Sequence, residues 1–354
     1  MSVQLITDLL KQVNYPGFSR DIVSFGLIRE TQFEKGLARI KLEIVSSEPT
    51  LPKKLKDEIE NTLLANEEVK KVEVQIVVKK PPVEQSINGQ VEEDSALAGV
   101  KKIVAVASGK GGVGKSTLAV NLACAMERII SSELSRPAKI GLMDCDVYGP
   151  SVPLLIGASG QPESLGDDRI APIESYGVKV MSMALLVDED APVVWRGPMV
   201  MKTIQQFAAN VEWGELDLLL IDLPPGTGDA QLSIAQTMPL DGVVVVTTPQ
   251  KAAVDVARRG ARMFEKVNVP ILGVVENMSF LLNEETGEKS HLFGKGGGPV
   301  TAHALTTSFL GEIPIHEEIR MGGDHGLPIV VSNPEHFASQ AIIAVAQEVY
   351  SILD

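Results

Sequence analysis

The segment GKGGVGKST at residues 109–117 combines closely spaced glycines with two lysines and two hydroxyl side chains. It matches the pattern G-x-x-x-x-G-K-[ST] and lies between the apolar run IVAVAS and the helical pattern TLAVNLACAMERI. Glycines let the backbone turn its N–H groups toward phosphate oxygens, and the next helix adds a partial positive charge. The segment therefore predicts a phosphate loop for ATP with Mg²⁺. The expected contacts are Gly109, Lys110, Gly111, Gly112, Val113, Gly114, Lys115, Ser116 and Thr117.

Two acidic segments follow apolar runs that are typical of buried strands. LMDCDVYGPS contains Asp144 and Asp146, and LLLIDLPPGTGD contains Asp222. The carboxyl ends of parallel strands meet at one edge of a sheet, so these acids are expected beside the loop. Asp222 is expected to hold Mg²⁺ through water, with Ser116 as a direct ligand, while Lys115 contacts the β- and γ-phosphates. Asp144 is expected to be a structural partner, and a cap or turn is the alternative role for each aspartate.

The elements that must position these residues form an α/β pattern from Lys101 onward. Short apolar runs alternate with helical periodicity, which is typical of parallel strands covered by helices on both faces. The expected strands are 103–108, 139–144, 178–183, 216–223, 242–248 and 270–277. The sequence therefore predicts a doubly wound, mostly parallel sheet of the P-loop NTPase type over residues 101–354.

Residues 1–80 have a different pattern, which predicts a small α+β domain. Its expected elements are a helix at 2–13, strands at 22–29 and 37–45, a helix at 52–64 and a strand at 72–78. Residues 81–100 contain paired prolines, four acids and few apolar side chains, which is typical of a solvated linker. The sequence thus predicts two domains joined by this linker.

The composition limits the possible functions. The 354 residues include 32 Lys and Arg against 46 Asp and Glu, a formal charge of -14, so neither nucleic acid nor a membrane surface is an expected partner. There is no run of about 18 apolar residues and no signal-peptide pattern, so a cytoplasmic location is expected. The two cysteines, Cys124 and Cys145, exclude a disulfide scaffold and are expected to be small buried hydrophobes.

Lys110 distinguishes this segment from an ordinary phosphate loop. A solvated loop lysine is one interpretation, but KGGVGKS resembles the deviant Walker A motif of the nitrogenase iron protein, MinD and ParA class of ATPases. The resemblance implies that Lys110 reaches the nucleotide of a partner subunit, so that a homodimer is the active form. It also implies that Asp146 positions the attacking water.

Two later segments complete the expected nucleotide site. Gly226 and Gly228 in PPGTGD predict a γ-phosphate sensor whose backbone moves on hydrolysis. Asn277, in VVENMS, resembles the adenine-contacting asparagine of the same class. A buried turn residue is the alternative role of Asn277.

Segments along most of the chain resemble the Mrp/ApbC family of iron-sulfur cluster carrier ATPases. The resemblance runs almost continuously from 101 to 350, and residues 1–80 resemble the iron-sulfur-assembly domain that often precedes it. The segments are SGKGGVGKST, DCDVYGPS, WRGPM, DLPPGTGD, TTPQ, ENMS, FGKGGG, GEIPIHEEIR and GDHGLPI. The resemblance implies ATP hydrolysis by a homodimer, with apoprotein clients or iron-sulfur assembly proteins as partners.

The chain departs from that family after ENMS. The family typically has a CxxC there, and four thiolates from two subunits hold one [4Fe-4S] cluster, whereas this chain reads SFLLNEETGEKSHLFG. Thiolates are the normal ligands of such a cluster, so the family's bridging site cannot form here. Three functions stay open: cluster transfer with other or partner-supplied ligands, a regulatory or scaffold ATPase without the metal, and a MinD- or ParA-like positioning ATPase. The third is disfavoured because the C-terminal FASQAIIAVAQEVYSILD has no Lys or Arg to attract anionic lipid.

Overall fold

The chain divides into two compact units, Met1–Asn88 and Gly89–Asp354. The computed structural model describes most of the chain, and each unit is treated by itself. The described residues are 3–13, 22–23, 27–34, 36–45, 51–66, 68–79, 97–166, 169–186, 197–226 and 228–353. The expected linker at 81–100 lies largely outside these residues and stays a prediction.

The first unit is a three-stranded sheet with two helices. Its elements are α1 (Val3–Leu10), β1 (Ile28–Glu34), β2 (Leu37–Val45), α2 (Leu51–Leu64) and β3 (Lys71–Lys79). β2 is central, antiparallel to β1 and parallel to β3. Alternate β2 residues, among them Ile40 and Leu42, are buried in one core with α2 residues such as Leu55 and Ile59. This is the packing of a small α+β unit.

One expected strand of this unit was placed wrongly. The apolar residues at 22–29 predicted a strand, but Ile22 and Val23 form a turn and β1 begins only at Ile28. β1 is an edge strand whose register is set by pairing with β2, and its exposed side carries Glu30 and Gln32. Its polar, edge-strand sequence IRETQFE therefore gives a weaker strand signal than the more apolar sequence before it.

The second unit contains a longer alternation of strands and helices. In chain order its elements are β4 (Ile103–Ser108), α3 (Lys115–Leu134), β5 (Ile140–Asp144), α4 (Val152–Ile156), β6 (Ser164–Gly166), β7 (Arg169–Ile170), β8 (Ile173–Ser175), β9 (Val178–Ser182), α5 (Gly197–Asn210), β10 (Leu218–Asp222), α6 (Asp229–Thr237), β11 (Gly242–Thr247), α7 (Lys251–Lys266), β12 (Ile271–Glu276), β13 (Leu281–Leu282), β14 (Lys289–Ser290), α8 (Gly297–Ala304), β15 (Ser308–Glu312), α9 (Glu317–Asp324), α10 (Ile329–Ser332) and α11 (Phe337–Leu353).

Eight of the described strands form one sheet in the order β15-β12-β11-β4-β10-β5-β9-β8. Neighbours are parallel except for β8, which is antiparallel to β9 at one edge. The six expected strands are β4, β5, β9, β10, β11 and β12, each within two residues of its expected ends. The prediction of a mostly parallel sheet is confirmed.

The central strands are buried on both faces, as their continuous apolar sequence predicts. In β4, Val104 and Val106 join a core with α3 and α11, whereas Ile103 and Ala105 join a separate core containing Trp213. Successive side chains of a strand point to opposite faces, so the two cores lie on opposite sides of the sheet. This sandwich fixes the strands whose carboxyl ends carry the candidate site.

Candidate functional site

The glycine-rich loop joins the end of β4 to the start of α3. Gly112 and Gly114 have φ values of 79° and 78°, in the left-handed region that favours glycine. A Cβ at Gly114 would collide with the side-chain amide of Asn277, and one at Gly109 would lie 2.6 Å from the backbone of Val256. Glycine is therefore required at these positions by the positive φ angles or by the close approach of neighbouring atoms.

The start of α3 faces this loop with unsatisfied backbone donors. Gly114 is the N-cap residue and no side chain caps the helix, while Lys110, Gly111 and Gly112 are exposed. The first N–H groups of a helix lack intrahelical partners and carry a partial positive charge. This end of α3 can therefore bind phosphate, as the sequence predicts for 109–117.

Lys115, Ser116 and Asp222 form one hydrogen-bonded cluster. Lys115 Nζ donates to Asp222 Oδ1 at 2.5 Å, and Ser116 Oγ donates to Asp222 Oδ2 at 2.6 Å. Lys115 is 6% exposed and Asp222 is fully buried. Burial raises the pKa of Asp222, and the adjacent ammonium and hydroxyl oppose that shift. A buried carboxylate is tolerated when it is paired in this way. The cluster therefore holds the ammonium of Lys115, the hydroxyl of Ser116 and the carboxylate of Asp222 together beside the loop.

Asp144 lies directly beside Asp222, because β5 and β10 pair these two residues in register. Its carboxylate accepts from the backbone N–H of Asp146 at 3.0 Å, from that of Val152 at 3.3 Å and from Ser182 Oγ at 3.0 Å. Burial, followed by the charge of Asp222, raises the pKa of Asp144 to about 7. Asp144 thus fixes both ends of the loop that carries Asp146, which fits the expected structural role.

Asp146 and Lys110 reach solvent at the same end of the sheet as the loop. Asp146 is half-buried, and its Oδ1 accepts from the backbone N–H of Gly149 at 3.3 Å. The Lys110 side chain is exposed, and no acceptor among the described residues pairs with its ammonium group. The structure therefore leaves the Lys110 side chain available to a second molecule. Its contact with a partner's nucleotide stays a prediction.

Asn277 forms a hydrogen bond with the backbone of the phosphate loop. Its Nδ2 donates to the carbonyl of Val113 at 2.9 Å, and its backbone N–H donates to Thr247 O at 2.8 Å. The side chain is 9% exposed and lies against Gly114. This contact is the one that a buried turn asparagine would make, and the expected contact with adenine stays a prediction.

The PPGTGD segment is tied to β4 by a residue that sequence reasoning missed. Buried Gln231 donates through Nε2 to Pro224 O at 2.5 Å and to Ser108 O at 3.2 Å. The backbone N–H of Gly226 also donates to Ser108 O, at 3.0 Å. Gln231 lies two residues after the segment, in the first turn of α6, and that position could have identified it. Thr227 lies outside the described residues.

Glu276 is a second residue that sequence reasoning missed. It is fully buried at the end of β12, where it accepts from Ser279 Oγ at 2.6 Å and from the backbone N–H of Gly298 at 2.5 Å. A Cβ at Gly298 would lie 2.7 Å from Glu276 Cβ. The acid directly after the apolar run ILGVV and the glycines of FGKGGG were the available signals. Glu276 connects the Asn277 turn to the start of α8.

Neither cysteine is placed for metal binding. Burial raises the pKa of Cys124 to about 12 and raises that of Cys145 well above its ordinary value. Both thiols are buried, and the thiolate is the form that binds iron. The expectation that they are small core residues agrees with this burial.

Within the described part of the chain, no helix has the length and apolar character needed to cross a bilayer.

Comparison with known proteins is consistent with this site and fold. The family described as "ParA: NUBPL iron-transfer P-loop NTPase" matches residues 99–350, and the "iron-sulfur cluster assembly protein" family matches residues 4–76. A solved nucleotide-binding protein from Archaeoglobus fulgidus, in complex with ADP and with Co, is 35% identical with a TM-score of 0.58. That match covers 70% of this chain and 95% of the other.

Two curated relatives are similar over long stretches. The Arabidopsis thaliana "Iron-sulfur protein required for NADH dehydrogenase, mitochondrial" is 53% identical over 253 residues, 72% of this chain and 79% of its own length. An "Iron-sulfur cluster carrier protein" from Synechocystis sp. is 36% identical over 354 residues, 99% of this chain and 97% of its own. These matches confirm the resemblance to iron-sulfur carrier ATPases. The chain belongs to the NUBPL iron-transfer P-loop NTPase family.

Proposed function

We propose that the chain hydrolyses Mg-ATP as a homodimeric switch ATPase of the deviant Walker A class, and that this switch serves iron-sulfur cluster transfer to apoproteins. The observation that carries the ATPase proposal is the Lys115–Ser116–Asp222 cluster at the uncapped start of α3. It places a cation, a hydroxyl and a carboxylate beside backbone donors, which together are the parts that phosphoryl transfer uses.

The donor set at this point fits Mg²⁺. Ser116 Oγ and Asp222 Oδ2 lie 2.6 Å apart, and hydroxyl, carboxylate and water oxygens are the ligands that Mg²⁺ prefers. Ser116 would bind the ion directly and Asp222 would hold it through water. When bound, the ion neutralises charge on the phosphate oxygens.

Lys115 must exchange partners when nucleotide binds. Its ammonium pairs with Asp222, whereas the proposed role directs it to the β- and γ-phosphates. Release of Lys115 would leave Asp222 Oδ1 free to accept a hydrogen bond from water. Asp146 then holds the attacking water, and the backbone around Gly226 senses loss of the γ-phosphate through its hydrogen bond to Ser108.

Lys110 completes the site in trans. Its exposed ammonium has no acceptor among the described residues of its own chain, so it is available to the phosphates of a facing subunit. A cation supplied by a partner stabilises transition-state charge in the way that an arginine finger does.

The names of the relatives support the proposal that the chain serves iron-sulfur cluster transfer. Those described above are named as an iron-sulfur protein and an iron-sulfur cluster carrier. Because Cys124 and Cys145 are buried and the chain has no other cysteine, the cluster's thiolate ligands would come from a partner protein. The same burial favours a second candidate, a regulatory or scaffold ATPase that acts without a cluster.

Lys115→Ala tests the nucleotide site. The variant should lose binding of ATP, measured by calorimetry, and with it all hydrolysis. Lys266→Ala, which removes an exposed lysine at the end of α7, is the control. Wild-type affinity in Lys115→Ala would contradict the assignment of the phosphate site.

Anaerobic reconstitution with iron and sulfide separates the two candidate functions, which are cluster transfer with thiolates from a partner and a regulatory or scaffold ATPase without a cluster. If a partner supplies the thiolates, the chain alone should stay colourless, and it should protect or transfer a cluster only with a thiolate-bearing partner present. A Cys124/Cys145 double alanine variant should behave as wild type does. Stable iron in the wild type that is lost in this variant would overturn the proposal that the cysteines are structural.

A further inference from the structure

A cluster of two histidines and one glutamate lies outside the nucleotide site. Glu284, in the turn between β13 and β14, has Oε1 at 2.9 Å from His316 Nε2 and at 3.9 Å from His336 Nε2. One ligand atom from each residue lies within 4.8 Å of those of the other two. Three elements that are far apart in sequence therefore bring two imidazoles and a carboxylate to one point.

The two histidines are held by the starts of two helices. His316 is the N-cap of α9, where Nδ1 accepts from the backbone N–H of Glu318 at 3.2 Å. His336 precedes α11, and its Nδ1 accepts from the backbone N–H of Ala338, also at 3.2 Å. Both side chains are 13% exposed. The caps leave the two Nε2 atoms directed at Glu284.

Ring packing further restricts the two imidazoles. Their centroids lie 4.4 Å apart, and the Phe337 ring lies 5.3 Å from that of His316 and 4.5 Å from that of His336. A ring confined by neighbours on several sides has few alternative rotamers. The packing therefore fixes the positions of the two rings beside Glu284.

The hairpin that carries Glu284 is fixed to the same unit. Lys289 Nζ lies 3.8 Å from the centroid of Phe280 and 3.8 Å from a carboxylate oxygen of Glu312. The backbone N–H of Ile315 donates to Phe280 O at 2.7 Å, one residue before His316. These contacts hold both sides of the cluster in place, while Glu284 itself is 60% exposed.

We propose that Glu284, His316 and His336 bind a first-row divalent transition ion, such as Fe²⁺, Co²⁺ or Zn²⁺. Two imidazoles and one carboxylate are typical donors for these ions, whereas Mg²⁺ and Ca²⁺ prefer oxygen alone. The metal bonds are about 2.0–2.2 Å long, so the three donors need to move by less than about 1 Å to surround one ion.

The exposure of Glu284 decides the kind of site. Structural zinc sites have four protein ligands and are closed, whereas three ligands leave coordination positions for water or another molecule. An ion held by Glu284 and the two histidines at the surface is therefore exchangeable. The proposal adds a metal site that is separate from the nucleotide and does not depend on ATP hydrolysis.

Binding of an ion changes the protonation of both rings. In the metal-free protein each Nδ1 accepts a hydrogen bond, so a neutral ring carries its proton on Nε2, next to Glu284. A metal on Nε2 requires the lone pair there and moves the proton to Nδ1. Ion binding therefore replaces the two cap hydrogen bonds with metal bonds and links the site to the starts of α9 and α11.

Titration of the full chain with Co²⁺ tests the proposal. We expect about one ion per chain with visible d–d absorption, displaced by Zn²⁺. Glu284→Gln and His316→Asn should each weaken binding by about tenfold or more. Their matched controls, Glu285→Gln and His325→Asn, change an adjacent exposed acid and an exposed histidine outside the cluster and should bind as wild type does. His316→Asn keeps a capping side chain, and thermal melting checks that each variant is folded.

Nitrogen NMR of the histidine rings gives an independent readout. Addition of Zn²⁺ should convert His316 and His336 from the Nε2–H to the Nδ1–H tautomer and leave His325 unchanged. Absence of Co²⁺ binding by the wild type, equal binding by Glu284→Gln, or unchanged tautomers in the presence of bound Zn²⁺ would each overturn the proposal.

Discussion

At the scale of single residues, two neighbouring aspartates have different partners and therefore different roles. Asp222 has the ammonium of Lys115 and the hydroxyl of Ser116, whereas Asp144 has two backbone N–H groups and Ser182. Burial raises the pKa of both carboxyl groups, but the ammonium of Lys115 and the hydroxyl of Ser116 oppose the shift at Asp222, whereas the charge of Asp222 adds to the shift at Asp144. Asp144 is a structural anchor whose ionisation costs stability.

Asp144→Asn should change the pH dependence of stability in the nucleotide-free protein. The pKa of Asp144 is raised from 3.8 to about 7. Between these values the folded state binds more protons than the unfolded state, so the free energy of unfolding falls as pH rises, by on the order of a few kcal/mol. Urea unfolding at pH 5 and pH 8 should show a smaller fall in Asp144→Asn. Asp255→Asn, at an exposed position of α7, should keep the wild-type fall. An equal fall in all three proteins would show that Asp144 is ionised throughout.

Asn277→Ala should weaken binding of ADP and GDP alike. The side chain holds the Val113 carbonyl and so fixes the phosphate loop, which every nucleotide uses. Calorimetry with both nucleotides measures the two losses. A loss confined to ADP would instead assign the side chain to adenine, as the family resemblance implies.

At the scale of elements, the buried strands were predictable and the edge strands were not. β4, β10 and β11 are apolar on both faces, so their sequences alone identify them. β1 and β15 lie at sheet edges, where pairing with a neighbour sets the ends of the strand. The first was predicted several residues too early and the second was not predicted, because one sequence does not reveal its pairing partners.

The residues of the candidate site also divide into those that the sequence predicted and those that it did not. The loop 109–117 and the acids Asp144, Asp146 and Asp222 follow from local spacing and strand ends. Gln231, Glu276 and the Glu284 cluster depend on contacts between distant segments. The apolar run before Glu276 and the position of Gln231 after PPGTGD were local signals, but one sequence does not reveal which distant residues these side chains contact.

Gln231→Leu should loosen the connection between the PPGTGD segment and β4. The change leaves Pro224 O buried without its side-chain donor, at a cost of about 1–3 kcal/mol in the free energy of unfolding. ATP hydrolysis should slow more than ATP affinity falls, because the phosphate loop itself is intact. Gln236→Leu, at an exposed position on the same helix, is the control. Wild-type turnover and stability in Gln231→Leu would show that this connection is dispensable.

At the scale of the whole molecule, the charge disfavours nucleic acid and anionic membrane surfaces as partners. The chain carries -14, and residues 1–80, with 13 basic and 12 acidic residues, contribute almost none of it. The acidic excess lies mostly in the unit that holds the nucleotide site, which disfavours nucleic acid as a partner. α11 also contains neither Lys nor Arg, so a positioning role on membranes has no support in this helix.

Mixed dimers test the central claim, that two subunits share each ATPase site, with Lys110 acting in trans and Asp146 in cis. Lys110→Ala and Asp146→Asn should each bind ATP but hardly hydrolyse it. In a mixed dimer the Lys110→Ala subunit keeps its own Asp146 and receives Lys110 from its partner, so one of two sites is active. An equal mixture should therefore recover about a quarter of wild-type turnover. No recovery in mixtures shown to contain mixed dimers, or full turnover by Lys110→Ala alone, would contradict the claim.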